Sequence, residues 1–159
     1  MTRLVDTREY VSALRELTEE GREVSLLISG SSMSPFLIHA RDYIYFRKPD
    51  RELRRGDMVF FQRDSGQFVM HRILKVRKEG FYLVGDGQTQ VEGPVRREQI
   101  FGLVFCVQRK GKKIRPGDFW WEFFAHVWLA LLPVRPFLSG FYGKLSGAGK
   151  RGNKNSVSK

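Results

Sequence analysis

Apolar residues near the start of the chain recur at the spacing of one helix face. The pattern runs from Tyr10 to Leu17, and Asp6 is a residue type that caps helix N-termini. Gly21 follows the last apolar position and suits the end of a helix. We therefore expect one short amphipathic helix. It lacks a long apolar core and a charged start before a hydrophobic run, so neither a membrane span nor a cleavable signal peptide is indicated.

From residue 24 the pattern changes to short apolar runs rich in Val, Ile, Phe and Tyr. Turn-forming pairs such as Pro49-Asp50 and Gly93-Pro94 separate these runs. Runs of this length and composition predict strands joined by tight turns. The expected strands span residues 24–28, 43–46, 58–62, 68–76, 81–84 and 100–108. The predicted fold class is mainly β, a compact and partly closed antiparallel barrel.

An aromatic stretch from Phe119 to Leu132 contains all three tryptophans and is followed by Pro133. As a helix it would reach only about 21 Å, short of the roughly 30 Å hydrocarbon core, so we do not expect it to cross a bilayer. Two arrangements stay open. The helix can pack on the barrel as a hydrophobic lid, or it can lie at a membrane interface, which its aromatic residues favour.

These patterns divide the chain into four parts: an amphipathic helix (1–22), a β-domain (23–116), an aromatic helical segment (117–142) and a basic tail (143–159).

The 159-residue chain has a net charge of +11, and its tail carries five basic residues and no acidic ones. Such a tail attracts acidic lipid headgroups or nucleic acid. Nucleic acid is not expected, because the tryptophans form a block before the basic residues instead of alternating with them.

Cysteine and histidine usage narrows the chemistry. Cys106 is the single cysteine, so it cannot form an internal disulfide, and its apolar neighbours predict a buried core position. His39, His71 and His126 share no metal-ligand spacing. We therefore expect neither a metal nor another cofactor.

A serine-rich run and His71 carry the strongest chemical signal, and four serines of that run, Ser29, Ser31, Ser32 and Ser34, are candidate nucleophiles. Ser32 lies in the run Gly-Ser-Ser-Met-Ser-Pro, where Gly30 allows a sharp turn and Met33 can anchor the loop. A serine hydroxyl alone is a weak nucleophile and needs a base to take its proton. An unperturbed histidine, with a pKa near 6.5, can do so at neutral pH. The backbone N–H of Ser32 or Met33 is the natural donor to an oxyanion.

The box around Ser32, followed by Gly56-Asp57, His71-Arg72 and Gly85-Asp86, resembles the motif series of the type I signal peptidase family over about residues 24–109. The resemblance implies that Ser32 is the nucleophile, because the family's serine precedes the methionine. It implies that His71 is the base, as in the archaeal and endoplasmic-reticulum branch. It also implies the same class of barrel and small side chains flanking the cut. Ordinary members carry an N-terminal membrane anchor, which we do not expect here.

A histidine base needs a carboxylate to orient it, and two candidates exist. Asp86 matches the family's Gly-Asp box, which favours it, although Gly87 stands where the family has asparagine. Glu92 lies about where the histidine branch often places a second aspartate. Asp57 precedes a predicted strand and is expected to cap turn N–H groups. Arg72 is expected to pair with a carboxylate near the site.

Together these features predict a serine endopeptidase that cleaves an extended precursor peptide, bound as an added strand, through an acyl-enzyme. We expect it in the cytoplasm or peripherally at a membrane. One alternative is a catalytically degenerate or non-enzymatic module that docks on a membrane or a partner. Another is the self-cleaving repressor branch of the same superfamily, which uses lysine where this chain has His71.

Overall fold

The computed structural model describes residues 7–138 of the chain. Helix α1 spans Thr7–Glu19, as the apolar spacing predicts, and buries Val11 and Leu14 in the main core. Gly21 has a φ of +83°, a left-handed conformation that ends the helix without the steric cost of a side chain. The predicted Asp6 cap lies outside the described residues.

Within residues 7–138, eight strands form one antiparallel sheet. They are β1 Val24–Leu27, β2 Tyr43–Arg47, β3 Met58–Gln62, β4 Phe68–Arg77, β5 Gly80–Val84, β6 Glu92–Val95, β7 Ile100–Arg109 and β8 Lys112–Ile114. Their order is β1-β2-β7-β3-β4-β5-β6, and β8 pairs with β7. The mainly β, antiparallel class is confirmed, and so are all the predicted strands. The sheet is not closed into a barrel, because β1 and β6 end the path without pairing with each other.

Strands β6 and β8 are absent from the sequence prediction. β6 contains Gly93-Pro94, a pair typical of turns, but this strand pairs with β5 alone. Proline is accepted there because its missing N–H is not needed on the unpaired side of an edge strand. β8 is only three residues long, and two of them are lysines. It returns from β7 through Lys110 and Gly111, whose φ values of +48° and +80° suit a two-residue hairpin turn.

The main core joins α1, the sheet and the aromatic segment. The Phe46 and Phe60 rings stack at its centre with their centroids 5.3 Å apart. A Cβ at Gly102 would lie 2.7 Å from the Phe46 ring, so glycine at this position allows the stack. Cys106 is buried, which confirms its predicted core role.

The aromatic segment is helical, and one of its faces packs into the main core formed with α1 and the sheet. Helix α2 spans Phe119–Glu122 and continues as a π-helix over Phe123–Trp128. The buried face carries Trp121, Phe124, Ala125 and Leu129. The helical path does not stop at Pro133, because this proline lies in the first turn of a 3-10 helix, where no N–H is required. Within residues 7–138, no helix has the length and apolar character needed to cross a bilayer.

Candidate active site

The loop that follows β1 presents Ser32 at the surface of the body. We call residues 29–34 the serine loop. Gly30 turns the chain with a φ of +86°, and its N–H donates to His39 Nδ1 over 3.0 Å. Met33 is buried in the main core and anchors the loop, as predicted. The backbone N–H groups of Ser32 and Met33 donate to no described residue, which leaves both free for an oxyanion.

A second loop, residues 85–88, packs backbone to backbone on the serine loop, and we call it the glycine loop. The Gly87 N–H donates to the Ser32 carbonyl over 2.8 Å. A Cβ at Gly87 would lie 2.7 Å from the Ser34 carbonyl oxygen, and one at Gly85 would collide with the Ser32 carbonyl. This contact gives a physical reason for glycine at residue 87, where the resemblance leads one to expect asparagine.

His71 lies on β4 opposite Val59, with a side chain that is 4% exposed. Burial lowers the pKa of its imidazole to about 4; the Glu92 carboxylate opposes this shift, and the Arg63 guanidinium reinforces it. The ring is therefore neutral at pH 7, and the burial that lowers its pKa also makes it a weaker base than a free imidazole. Its Nδ1 is buried without a hydrogen-bond partner among the described residues, and Glu92 Oε2 lies 3.8 Å away.

Glu92 begins β6 and faces His71, and a second partner holds it in place. Arg63 Nε and Nη2 donate to its two carboxylate oxygens over 2.6 and 2.8 Å. The same guanidinium holds the pKa of Glu92 below its ordinary value. Glu92 is therefore ionised at pH 7, and an approach of about 1 Å would bring it within hydrogen-bond reach of Nδ1. Catalytic hydrogen bonds are often long before a substrate binds.

Asp86, the other candidate, has a different partner. Its carboxylate accepts two hydrogen bonds from Arg72, of 2.9 and 2.8 Å, and both side chains are fully buried. Arg72 Nη1 also donates to the Gly56 carbonyl over 2.9 Å. Among the described carboxylates, Glu92 alone reaches ion-pairing distance of the His71 ring. The geometry thus makes Asp86 the partner of Arg72, the pairing expected for that arginine, and brings Glu92 to the imidazole.

Two clefts meet at His71. The apolar cleft, of about 720 Å³, is lined by Ser32 and His71 and has largely apolar walls from α1, β1 and β4. The polar cleft, of about 880 Å³, is lined by His71 and the chain from Gly87 to Gly93. Ser32 and His71 thus line the same cleft, and no hydrogen bond joins their side chains in the described part of the chain.

Side chains of the aromatic segment donate hydrogen bonds to the backbone of the glycine loop, a contact that the sequence did not predict. Trp128 Nε1 donates to the Asp86 carbonyl over 2.7 Å. Arg135 Nη1 donates to the carbonyls of Gly85 and Gln88 over 3.0 and 2.9 Å. Arg135 is buried, and this burial lowers the pKa of its guanidinium. One sequence feature could have indicated this role: Arg135 is a single charged residue within an apolar stretch. A charged side chain in such surroundings is buried only when it has partners.

Asp57 lies away from the two clefts, as predicted for a turn residue. Its carboxylate accepts the Arg54 N–H over 2.9 Å and pairs with Arg51. His39 contacts the serine loop by accepting the Gly30 N–H at its Nδ1.

We compared the chain with known protein families and with curated proteins. No protein-family model matches the chain, and no curated protein matches it. The case for a function therefore depends on the residues around the two clefts.

Proposed function

We propose that this protein is a serine endopeptidase of signal peptidase-like type, with Ser32 as nucleophile and His71 as base. One observation carries the proposal: Ser32, on a glycine-turned loop, and His71, more than thirty residues away, line the same cleft. The neutral imidazole and the two free N–H groups of the serine loop supply the other parts that acyl transfer needs. The resemblance to the histidine branch supports the same assignment.

In the proposed reaction, residues of the serine loop, the glycine loop and β4 have different roles. His71 accepts the Ser32 proton as Oγ attacks the scissile carbonyl, and the N–H groups of Ser32 and Met33 hold the oxyanion. Glu92 stabilises the imidazolium that forms, with Arg63 keeping the carboxylate ionised. The glycine loop holds the serine loop through the hydrogen bond from the Gly87 N–H to the Ser32 carbonyl, and Arg72 holds the glycine loop through Asp86. The proposal requires the Ser32 hydroxyl and the His71 imidazole to come within hydrogen-bond distance when a substrate binds.

The apolar cleft suits a peptide in extended conformation. Among the strands of residues 7–138, β1 pairs with β2 alone, and the β4–β5 register begins at Arg72, which leaves residues 68–71 of β4 without a described partner on the β5 side. Both stretches line the apolar cleft. An extended substrate can therefore add backbone hydrogen bonds to these strand edges.

A fluorophosphonate, which modifies activated serines, tests the proposed nucleophile. We expect one adduct per chain, located on Ser32 by peptide mapping. Ser34→Ala is the matched control in the same loop and should be labelled as well as the wild type, whereas Ser32→Ala should not be labelled. Equal labelling of Ser32→Ala, or an adduct on another serine, would contradict the assignment.

A second proposal concerns the outer face of the aromatic segment, which we propose docks on an anionic membrane surface. Phe119 and Phe137 are 71% and 78% exposed, and Trp120 and Val127 are also exposed. The exposed Phe119 and Trp120 rings contact each other with their centroids 5.1 Å apart, and exposed apolar side chains that cluster in this way mark interaction sites. The tail beyond residue 143 adds basic residues that attract acidic headgroups.

Vesicle flotation tests the docking. We expect the full chain to float with phosphatidylserine-containing vesicles at low salt and less with phosphatidylcholine alone. The variant Phe119→Ser/Phe137→Ser should lose flotation, while Tyr43→Ser/Val76→Ser, at exposed apolar positions on the sheet, should retain it. Equal flotation of the two variants would refute a role for this face.

A further inference from the structure

We propose that the two halves of the substrate differ in chemistry: large apolar side chains precede the cut, and a polar segment follows it. The inference rests on the proposed peptidase function and extends it to a class of substrate. The observation that carries it is the meeting of the apolar and polar clefts at His71, which lines both of them.

The order of bond changes assigns each half to a cleft. Ser32 Oγ bonds to the scissile carbonyl carbon while its proton passes to His71. The C–N bond then breaks, and the same proton goes to the leaving amine. The first half stays on Ser32 as an ester until water attacks, giving its proton through His71 to Oγ and releasing a carboxylic acid. Because Ser32 lines only the apolar cleft, the first half lies there.

The walls of the apolar cleft favour large apolar side chains in the substrate. Leu26, Ile28, Phe68 and Met70 line a space of about 720 Å³. Cavities between about 300 and 1,000 Å³ accommodate a drug-sized ligand, so this one has room for more than a single small side chain. A segment with only alanine side chains would leave most of these walls unfilled. This expectation differs from the small flanking side chains that the family resemblance implies.

The polar cleft favours a different segment. Thr89, Gln90 and Glu92 line this cleft alone, whereas Gln88 and Arg63 line both clefts. Their amide, hydroxyl and charged groups can donate to and accept from polar side chains. Apolar side chains would remove these groups from water without replacing their hydrogen bonds, which is unfavourable. The first half occupies the apolar cleft, and the leaving amine takes its proton from His71, so we assign the departing half to the other cleft that His71 lines.

A synthetic decapeptide library, incubated with the full chain, tests both preferences at once when mass spectrometry identifies the two products. We expect Leu, Met or Phe before the cut to be favoured over Ala by at least about tenfold, the usual range for hydrophobic pockets. After the cut we expect Ser, Thr, Asn or Gln to be favoured over Leu and Phe.

Matched variants separate the two clefts. Leu27→Glu, in the apolar cleft, should weaken the first preference only, and Gln90→Leu, in the polar cleft, the second only. Val76→Glu is the control, because Val76 is 43% exposed, close to the 40% of Leu27, and lines neither cleft. Cleavage without preference, or with preferences unchanged in both variants, overturns this inference and leaves the peptidase standing. Absence of cleavage across the library counts against the peptidase itself.

Discussion

Ser32→Ala, His71→Gln and the double variant are expected to lose peptide cleavage to the same extent, by about 10⁴- to 10⁶-fold. A nucleophile and its base act as one unit, so the second substitution removes nothing that the first has left. Glutamine fills much of the histidine volume but cannot accept the serine proton. The measurement is the single-turnover rate on the library peptide that the wild type cleaves fastest.

Thermal unfolding of each variant is the necessary control, because His71 is buried in the sheet. Ser34→Ala provides a matched comparison, since Ser34 shares the serine loop, and it should retain activity. Additive losses in the double variant would show that the two residues act independently. A His71→Gln variant as active as the wild type would remove the histidine from the mechanism.

Local patterns in the sequence were sufficient for the framework of the fold. Short apolar runs separated by turn residues were enough to predict all the longer strands, because strands buried on both faces, such as β3 and β7, need apolar residues along their own length. Met33 and Asp57 could likewise be interpreted from their neighbours, one as a loop anchor and the other as a turn residue. β6 was missed because its Gly93-Pro94 pair fits an edge strand as well as a turn, and only the sheet order distinguishes the two.

The partners within the site could not be assigned in this way. Asp86 and Glu92 are both carboxylates following β5, and the choice between them depends on arginines from other strands. Arg72 takes Asp86, and Arg63, just beyond β3, takes Glu92. Arg135 also acts across the fold, binding a loop some fifty residues earlier. Such pairings follow from how strands and segments pack, which no spacing along the chain records.

Removing the charge of Asp86 and removing that of Glu92 should therefore have different effects on the stability of the protein. Asp86→Asn leaves the fully buried Arg72 without its counter-charge, and breaking such a pair costs about 3–5 kcal/mol in the free energy of unfolding. Glu92→Gln alters a partly exposed pair, so we expect a loss of about 1 kcal/mol or less. Urea unfolding of both variants measures the difference.

Cleavage rates should show the opposite order once folding is taken into account. Below the temperature at which it unfolds, Asp86→Asn keeps Ser32, His71 and Glu92, so its folded fraction should retain much of its activity. Glu92→Gln stays folded but cannot stabilise the imidazolium, and we expect its rate to fall by about 10²-fold or more. An active Glu92→Gln beside a folded but inactive Asp86→Asn would reverse the assignment and make Asp86 the group that acts on His71.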